Sequence, residues 1–399
     1  MNSTPSANRL HIGFFGRRNA GKSSVVNAVT DQDLAVVSAR KGTTTDPVSK
    51  AMELLPLGPV VIIDTPGYDD DDETLGKQRV ARARKILNKT DIAVLVIDAR
   101  LGLDDIDREL INIFEEKRIP YLIAYNKSDL LSEVPPDTEI ESYVSAKTGY
   151  GIYELKERIG RQAPKKIERK LIQDYLQPGD VVILVTPIDD SAPKGRIILP
   201  QQQVIRDILD AKAISVVAQE TELKDIFSKL KEEPKMVITD SKVFGEVAKI
   251  VPEEIPLTSF SIVLARVKGF LETAAKGLAD LKKLRDGDTI LISEGCTHHR
   301  RHDDIGTVRI PVWLRQFTAS DINIKTFSGT EYPEDLSSYG AVVHCGACML
   351  TEREIQYRMK CAVEQGVPFT NYGLIIAYAE GILKRSLGLF PDLQKYVFD

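Results

Sequence analysis

At 399 residues the chain is too long for one ordinary domain, and 43% hydrophobic with 28% charged residues excludes the disordered and collagen-like classes. A formal net charge of −5 gives no general field for nucleic acid, and apolar runs such as Ile92–Ile97 are far too short to span a bilayer. Four cysteines, all beyond residue 295, exclude a disulfide framework and point to a reduced, cytoplasmic protein. Met1–Gly16 lacks the charged and apolar segments of a signal peptide.

In chain order, Leu10–Phe15, Val60–Asp64, Ile92–Asp98 and Tyr121–Asn126 read as buried strands. Helix-prone segments at Lys22–Val29, Gly76–Leu87 and Asp104–Lys117 separate them, which predicts right-handed crossovers and a mainly parallel sheet. A basic helical stretch at Glu154–Leu171, broken at Pro164, closes this region. Strands at Asp180–Val185, Ala213–Ala218 and Lys235–Thr239 then alternate with helices at Gln201–Lys212, Thr221–Lys231 and Ser241–Ile250. Residues 175–260 hold neither Cys nor His, so association is the leading reading there. Helix is expected from Ser261 to Leu284, with Leu271, Leu278, Leu281 and Leu284 on one recurring face. Strands at Thr289–Ser293, Ile322–Phe327 and Ala341–His344 and helices at Arg309–Phe317, Thr351–Gln365 and Asn371–Leu383 complete the chain. The predicted fold class is α/β, a larger N-terminal domain followed by two smaller α/β domains.

The strongest motif is Gly16-Arg17-Arg18-Asn19-Ala20-Gly21-Lys22-Ser23, set between a strand and a helix. Glycines let backbone N–H groups curl around phosphate oxygens, and the helix start adds positive character. Gly16, Asn19, Ala20, Gly21, Lys22, Ser23 and Ser24 form the predicted phosphate cradle, with Lys22 at the β/γ-phosphates and Ser23 on Mg²⁺. Asp64-Thr65-Pro66-Gly67 follows in the order a GTPase needs: Asp64 for water-mediated Mg²⁺ binding, the Gly67 amide for the γ-phosphate. In Asn126-Lys127-Ser128-Asp129, the Asp129 carboxylate suits the two N–H donors of guanine and repels adenine N1. Ser145-Ala146-Lys147 matches a loop that presents a backbone amide to guanine O6. Four such motifs in sequence indicate GTP over ATP.

Gly42-Thr43-Thr44-Thr45-Asp46 resembles the first switch of bacterial GTPases related to Era and MnmE, which carry arginine where this chain has Thr45. That resemblance places Thr44 on Mg²⁺, makes Lys22, Thr44 and Gly67 the residues at the transferring phosphate, and makes Asn19 a K⁺ ligand. Tyr68 stands where a water-orienting glutamine could act, so intrinsic hydrolysis is expected to be slow and K⁺-stimulated. The acidic run Asp69–Glu73 reads as a solvated loop.

Cys296-Thr297-His298-His299 and His344-Cys345-Gly346-Ala347-Cys348 each follow a predicted strand, so both can meet at one carboxyl edge of a sheet. Cys296, Cys345 and Cys348 supply three thiolates, and His298 and His344 are candidate further ligands or supporting groups. Ligand chemistry leaves zinc, an iron–sulfur cluster and a redox dithiol open. Cys361, within a helical stretch, reads as a core residue.

Together, the nucleotide motifs, the Cys-poor middle and the C-x-H…H-C-x-x-C pattern resemble the FeFe-hydrogenase maturation GTPases, the HydF family. The resemblance implies a GTP-binding domain over 1–168, a dimerisation domain over 175–262 and a cluster-binding domain over 267–399. It also implies a 4Fe–4S cluster on Cys296, Cys345 and Cys348. As scaffold and carrier, such a protein receives a diiron precursor made with radical-SAM maturases and delivers it to apo FeFe-hydrogenase; it forms a homodimer and needs neither nucleic acid nor membrane. The alternative is an Era-like GTPase in RNA or ribosome maturation with a structural zinc domain, for which local basic patches such as Lys165–Lys170 are available.

Overall fold

The computed structural model describes residues 6–31, 48–55, 57–65, 83–164, 169–188, 197–295, 304–329 and 332–398. It divides into two compact units, Met1–Ile167 and Glu168–Asp399.

The first unit is built on β1 (Leu10–Phe15), β2 (Val48–Leu54), β3 (Gly58–Asp64), β4 (Ile92–Asp98), β5 (Tyr121–Asn126) and β6 (Glu141–Tyr143). The sheet order is β2-β3-β1-β4-β5-β6, with β2 antiparallel to β3 and every other pair parallel. β4 is buried along its whole length, as a strand covered on both faces must be, which explains its unbroken apolar run. Separate cores lie on the two faces: Ile12, Val94 and Leu122 contribute to one, Phe15, Leu95 and Ile123 to the other. Ile152–Gln162 packs on the first face, and Asp105–Glu116, capped by Asp104, on the second.

The second unit has two wholly parallel sheets. The first joins β7 (Val181–Val185), β8 (Ile214–Ala218), β9 (Met236–Thr239) and β10 (Leu257–Ser259) in the order β10-β9-β7-β8. The second joins β11 (Thr289–Glu294), β12 (Asn323–Ser328), β13 (Ala341–His344) and β14 (Phe369–Asn371) in the order β12-β11-β13-β14. One apolar cluster takes residues from both sheets, among them Ile183, Val237, Ile290 and Val342. The expected boundary between 262 and 267 falls inside the helix Phe260–Val267. Phe260, Val263 and Leu264 pack with β7 and β9, while Ile262 and Ala265 join the shared cluster.

The continuous helix expected over 261–284 is interrupted. Phe260–Val267 ends at Lys268, Gly269 takes φ +75°, and a new helix runs over Leu271–Asp280 before a 3-10 turn at Leu281–Lys283. Glycine adopts this left-handed backbone without steric cost, so it can reverse the chain where leucine spacing suggests continuation. Among the described residues no helix is long and apolar enough to cross a membrane.

Candidate functional site

In the first unit the motif residues gather at the carboxyl ends of β1, β3 and β5. The loop after β1 ends at Gly21, the N-cap of the helix Lys22–Thr30, with φ +84°. A Cβ there would lie 2.3 Å from Asn126 Nδ2, so only glycine lets the loop lie this close to the end of β5. Lys22 Nζ is 2.9 Å from Asp64 Oδ1, and the Ser23 hydroxyl donates to Asp64 Oδ2 at 2.9 Å. Lys22 and Asp64 are both buried, and Ser24 lies in the first turn of the same helix. The Ser23 hydroxyl and Asp64 carboxylate are hard oxygen donors side by side, a set that fits Mg²⁺. Thr44 and Gly67 lie outside the described residues.

Asn126 ties three segments together. Its Nδ2 donates to the Ala20 carbonyl at 3.0 Å, and its Oδ1 accepts from the Ala146 amide at 3.0 Å. The Ala146 amide belongs to the loop expected to present a backbone amide to guanine O6. Asp129 Oδ1 accepts from the Ser145 hydroxyl at 2.6 Å, and Lys147 is exposed beside them. Asn19 is exposed at φ +62°, and its carbonyl accepts from Lys127 Nζ.

Two positioning groups were missed by the motif reading. Lys127 Nζ also donates to Asp98 Oδ2 at 2.7 Å, at the end of β4. The Arg100 guanidinium, hydrogen-bonded to both Asp98 oxygens, and then Lys127 hold that carboxyl well below the usual carboxylate range against the cost of burial. Arg17 is held by Asp104 at 2.8 Å, by buried Asp107 at 3.2 Å and by the Gly102 carbonyl at 2.9 Å. The available signal for Asp98 was a charged residue closing a strand buried on both faces.

In the second unit, Ser293 pairs in register with His344, so β11 and β13 end side by side. Cys345 Sγ accepts from the amides of Gly295 at 3.1 Å and Ala347 at 3.4 Å. Ala347 has φ +57°, which curls the Cys345–Cys348 turn. Burial pushes the Cys345 thiol up; the Ala347 and Gly295 amides oppose this, Glu294 adds to it, and Arg358 favours the thiolate. Cys348 packs against the core of the first sheet of this unit, whereas Cys361 is partly buried on the helix Glu352–Glu364. Cys296 and His298 lie outside the described residues, and among those described no three His, Cys, Asp or Glu side chains converge as a metal site.

His344 is fully buried, and both ring nitrogens are engaged: Nδ1 lies 2.9 Å from the Cys345 carbonyl and Nε2 lies 3.3 Å from Arg358 Nη1. Burial first, and then Arg358, bring its pKa down to about 3, so the imidazole is neutral. Beside it Glu294 is buried, accepting from Ser328 Oγ at 3.1 Å and from the Tyr372 hydroxyl at 3.3 Å. Arg358 and Glu294 were missed by the motif reading. Helical spacing sets Arg358 on the stripe of Ile355 and Ala362, the one signal that a charge there would be interior.

The two thiols of the turn and the amides aimed at Cys345 form a donor set that fits an iron–sulfur cluster, whose sulfurs take N–H hydrogen bonds. Comparison with known families places each unit. Residues 11–127 match the model of a 50S ribosome-binding GTPase, 171–269 the hydrogen maturase F dimerization domain, and 272–389 the hydrogen maturase F tetramerization domain. The tRNA modification GTPase MnmE of Roseiflexus sp. (strain RS-1) is 36% identical over 161 residues, 37% of this chain and 34% of that protein. GTPase Der of Kosmotoga olearia is 31% identical over 191 residues, 42% of this chain and 43% of that protein. The chain thus spans less than half the length of these curated relatives. The structure of Era from Aquifex aeolicus has a TM-score of 0.35 at 17% identity, covering 60% of this chain and 97% of that one. With the two hydrogen maturase F models accounting for more than half of its length, behind a GTPase domain, the chain belongs to the hydrogen maturase F family.

Proposed function

We propose that the chain hydrolyses GTP and serves as scaffold and carrier in FeFe-hydrogenase maturation. On this reading a 4Fe–4S cluster is held by Cys296, Cys345 and Cys348. The observation that carries the cluster reading is Cys345 Sγ receiving two backbone N–H bonds, one from Gly295, which directly precedes Cys296. Amide donors lower the cost of a thiolate in a partly buried site and are a recognised means of tuning a cluster. Held by three thiolates, such a cluster leaves one iron open to a bridging ligand of a diiron cargo. His298 is a candidate for that position when cargo is absent, and His344 orients the Cys345 backbone.

In the nucleotide site, Lys22 neutralises charge on the β/γ-phosphates, Ser23 and Thr44 hold Mg²⁺, and Asp64 orients its water. The Gly67 amide meets the γ-phosphate. Asn126, Lys127, Asp129 and the Ser145–Lys147 loop select guanine, and Asn19 holds K⁺. The domains divide the work as GTP binding over 1–168, association over 175–262 and cluster binding over 267–399. The family's dimerization and tetramerization domains support a homo-oligomer. Radical-SAM maturases and apo FeFe-hydrogenase are the proposed partners, in the cytoplasm.

The test is transfer. Protein co-expressed with the radical-SAM maturases and purified without oxygen should activate apo FeFe-hydrogenase, and protein expressed alone should not. No activation, together with tight binding to ribosomal RNA, would favour the Era-like alternative.

A further inference from the structure

Arg358 is the bulkiest fully buried side chain among the described residues. A permanent cation removed from water is costly, and replacing a buried ion pair by apolar groups is often neutral or stabilising. Packing alone therefore does not account for it, and its contacts suggest another role.

The side chain leaves the helix Glu352–Glu364 and reaches the carboxyl ends of three neighbouring strands. Nη1 donates to Ser293 Oγ on β11 at 3.1 Å and lies 3.3 Å from His344 Nε2 on β13. Nη2 donates to the Gly329 carbonyl, just past β12, at 2.6 Å. The Tyr332 ring lies under the guanidinium, 5.2 Å from centroid to Cζ. The counter-ion, Glu354, sits one turn back on the helix, 2.9 Å from Nε. The pair is therefore a dipole with its positive end at the strand edge and its negative end on the helix. His344 relays the contact: with Nε2 facing a donor, its proton sits on Nδ1, which donates to the Cys345 carbonyl. A second buried cation, Lys268, donates to the Leu350 carbonyl beyond Cys348 at 2.8 Å, and buried Glu294 is the opposing negative group.

We infer that Arg358 is a positioning residue for the proposed cluster, locking the strand ends that lead into Cys345 and Cys296 and raising the cluster's reduction potential by its fixed charge. The inference rests on the cluster reading above. Reduction adds one electron, and with it one negative charge, which the positive end of a buried ion pair turned toward the strand edge stabilises.

The experiment reconstitutes the full-length protein with iron and sulfide under anaerobic conditions, as wild type, Arg358→Gln, Arg358→Lys and Glu354→Gln. Iron content and a mediated redox titration followed by EPR are read for each, the electron coming from the added reductant. At the wild-type midpoint, Arg358→Gln should show a reduced-to-oxidised ratio roughly tenfold lower, which is about 59 mV for a one-electron couple. Arg358→Lys, which keeps the charge, should stay near wild type, and Glu354→Gln should move the other way. Should Arg358→Gln fail to fold, Glu354→Gln decides: a positive shift supports the inference, and no shift or a negative one overturns it. Arg358→Lys falling as far as Arg358→Gln would also overturn it, because charge would not be the cause. Wild type without iron would sink the cluster reading and this inference with it. Loaded variants with unmoved potentials would sink the inference alone.

Discussion

The nucleotide site and the cysteine site both occupy the carboxyl edge of a mainly parallel sheet, yet they are assembled by opposite means. In the first unit short contiguous motifs do most of the work. Gly21, Lys22 and Ser23 are consecutive, Asp64 bonds both Lys22 and Ser23, Asn126 links Ala20 to Ala146, and Ser145 bonds Asp129. In the second unit the supporting groups come from separate strands and a helix. Strand pairing brings Ser293, Gly329 and His344 to one edge, and Arg358 from the helix bonds or contacts all three. A phosphate-binding loop needs backbone curvature, which glycine spacing writes into one segment. A thiolate site needs convergence of distant strand ends, which spacing leaves open.

That comparison can be broken by variants that act on one site alone. Removing Lys22 is the largest intervention: Lys22→Ala should cut GTP turnover about a hundredfold or more, the scale of losing a preorganised electrostatic contact to the transition state. Its iron content should match wild type, measured on the same sample. Conversely, Cys345→Ala or Cys348→Ala should abolish cluster binding while steady-state GTP hydrolysis stays within about twofold, as expected for independent sites in separate units. Concurrent loss of both in a folded variant would mean that the two units are not separable. Asp129→Asn should lower the preference for GTP over ATP by roughly tenfold to a hundredfold, the worth of a charge-assisted hydrogen bond, read from competition binding. The smallest effect belongs to Asp98→Ala. Freed from that carboxylate, Lys127 should raise the KM for GTP by about threefold to tenfold with little change in kcat. An unchanged KM would remove Asp98 from the positioning groups.

Much of this fold is legible in the sequence where apolar runs are long and bounded. Leu10–Phe15, Ile92–Asp98, Tyr121–Asn126 and Ala341–His344 are strands with the limits their composition predicts. The short strands Glu141–Tyr143, Leu257–Ser259 and Phe369–Asn371 are not, because three residues carry no readable period and owe their conformation to the neighbour they pair with. Val48–Leu54 escapes for a related reason: as an antiparallel edge strand it lacks the continuous apolar run of the central strands. The leucines after Ser261 suggest one helix, but Gly269 in the left-handed region makes two. Within the sites, motif spacing names Lys22, Ser23, Asp64 and Asn126 and leaves Arg17 and Asp98 unmarked, since Arg17 fills a variable position of its motif and Asp98 belongs to none of the four motifs. Arg358 and Glu294 are harder still. Their burial is a tertiary fact, visible beforehand only as a charge on an apolar stripe and a carboxylate closing a strand.

The central claim is that the second unit holds an iron–sulfur cluster on three cysteines. It is tested most directly by the metal and sulfide content of the full-length protein, purified and reconstituted without oxygen. The account predicts about four irons and four sulfides per chain with no stoichiometric zinc, as a 4Fe–4S cluster requires. One zinc per chain, with no iron retained after reconstitution, would contradict it.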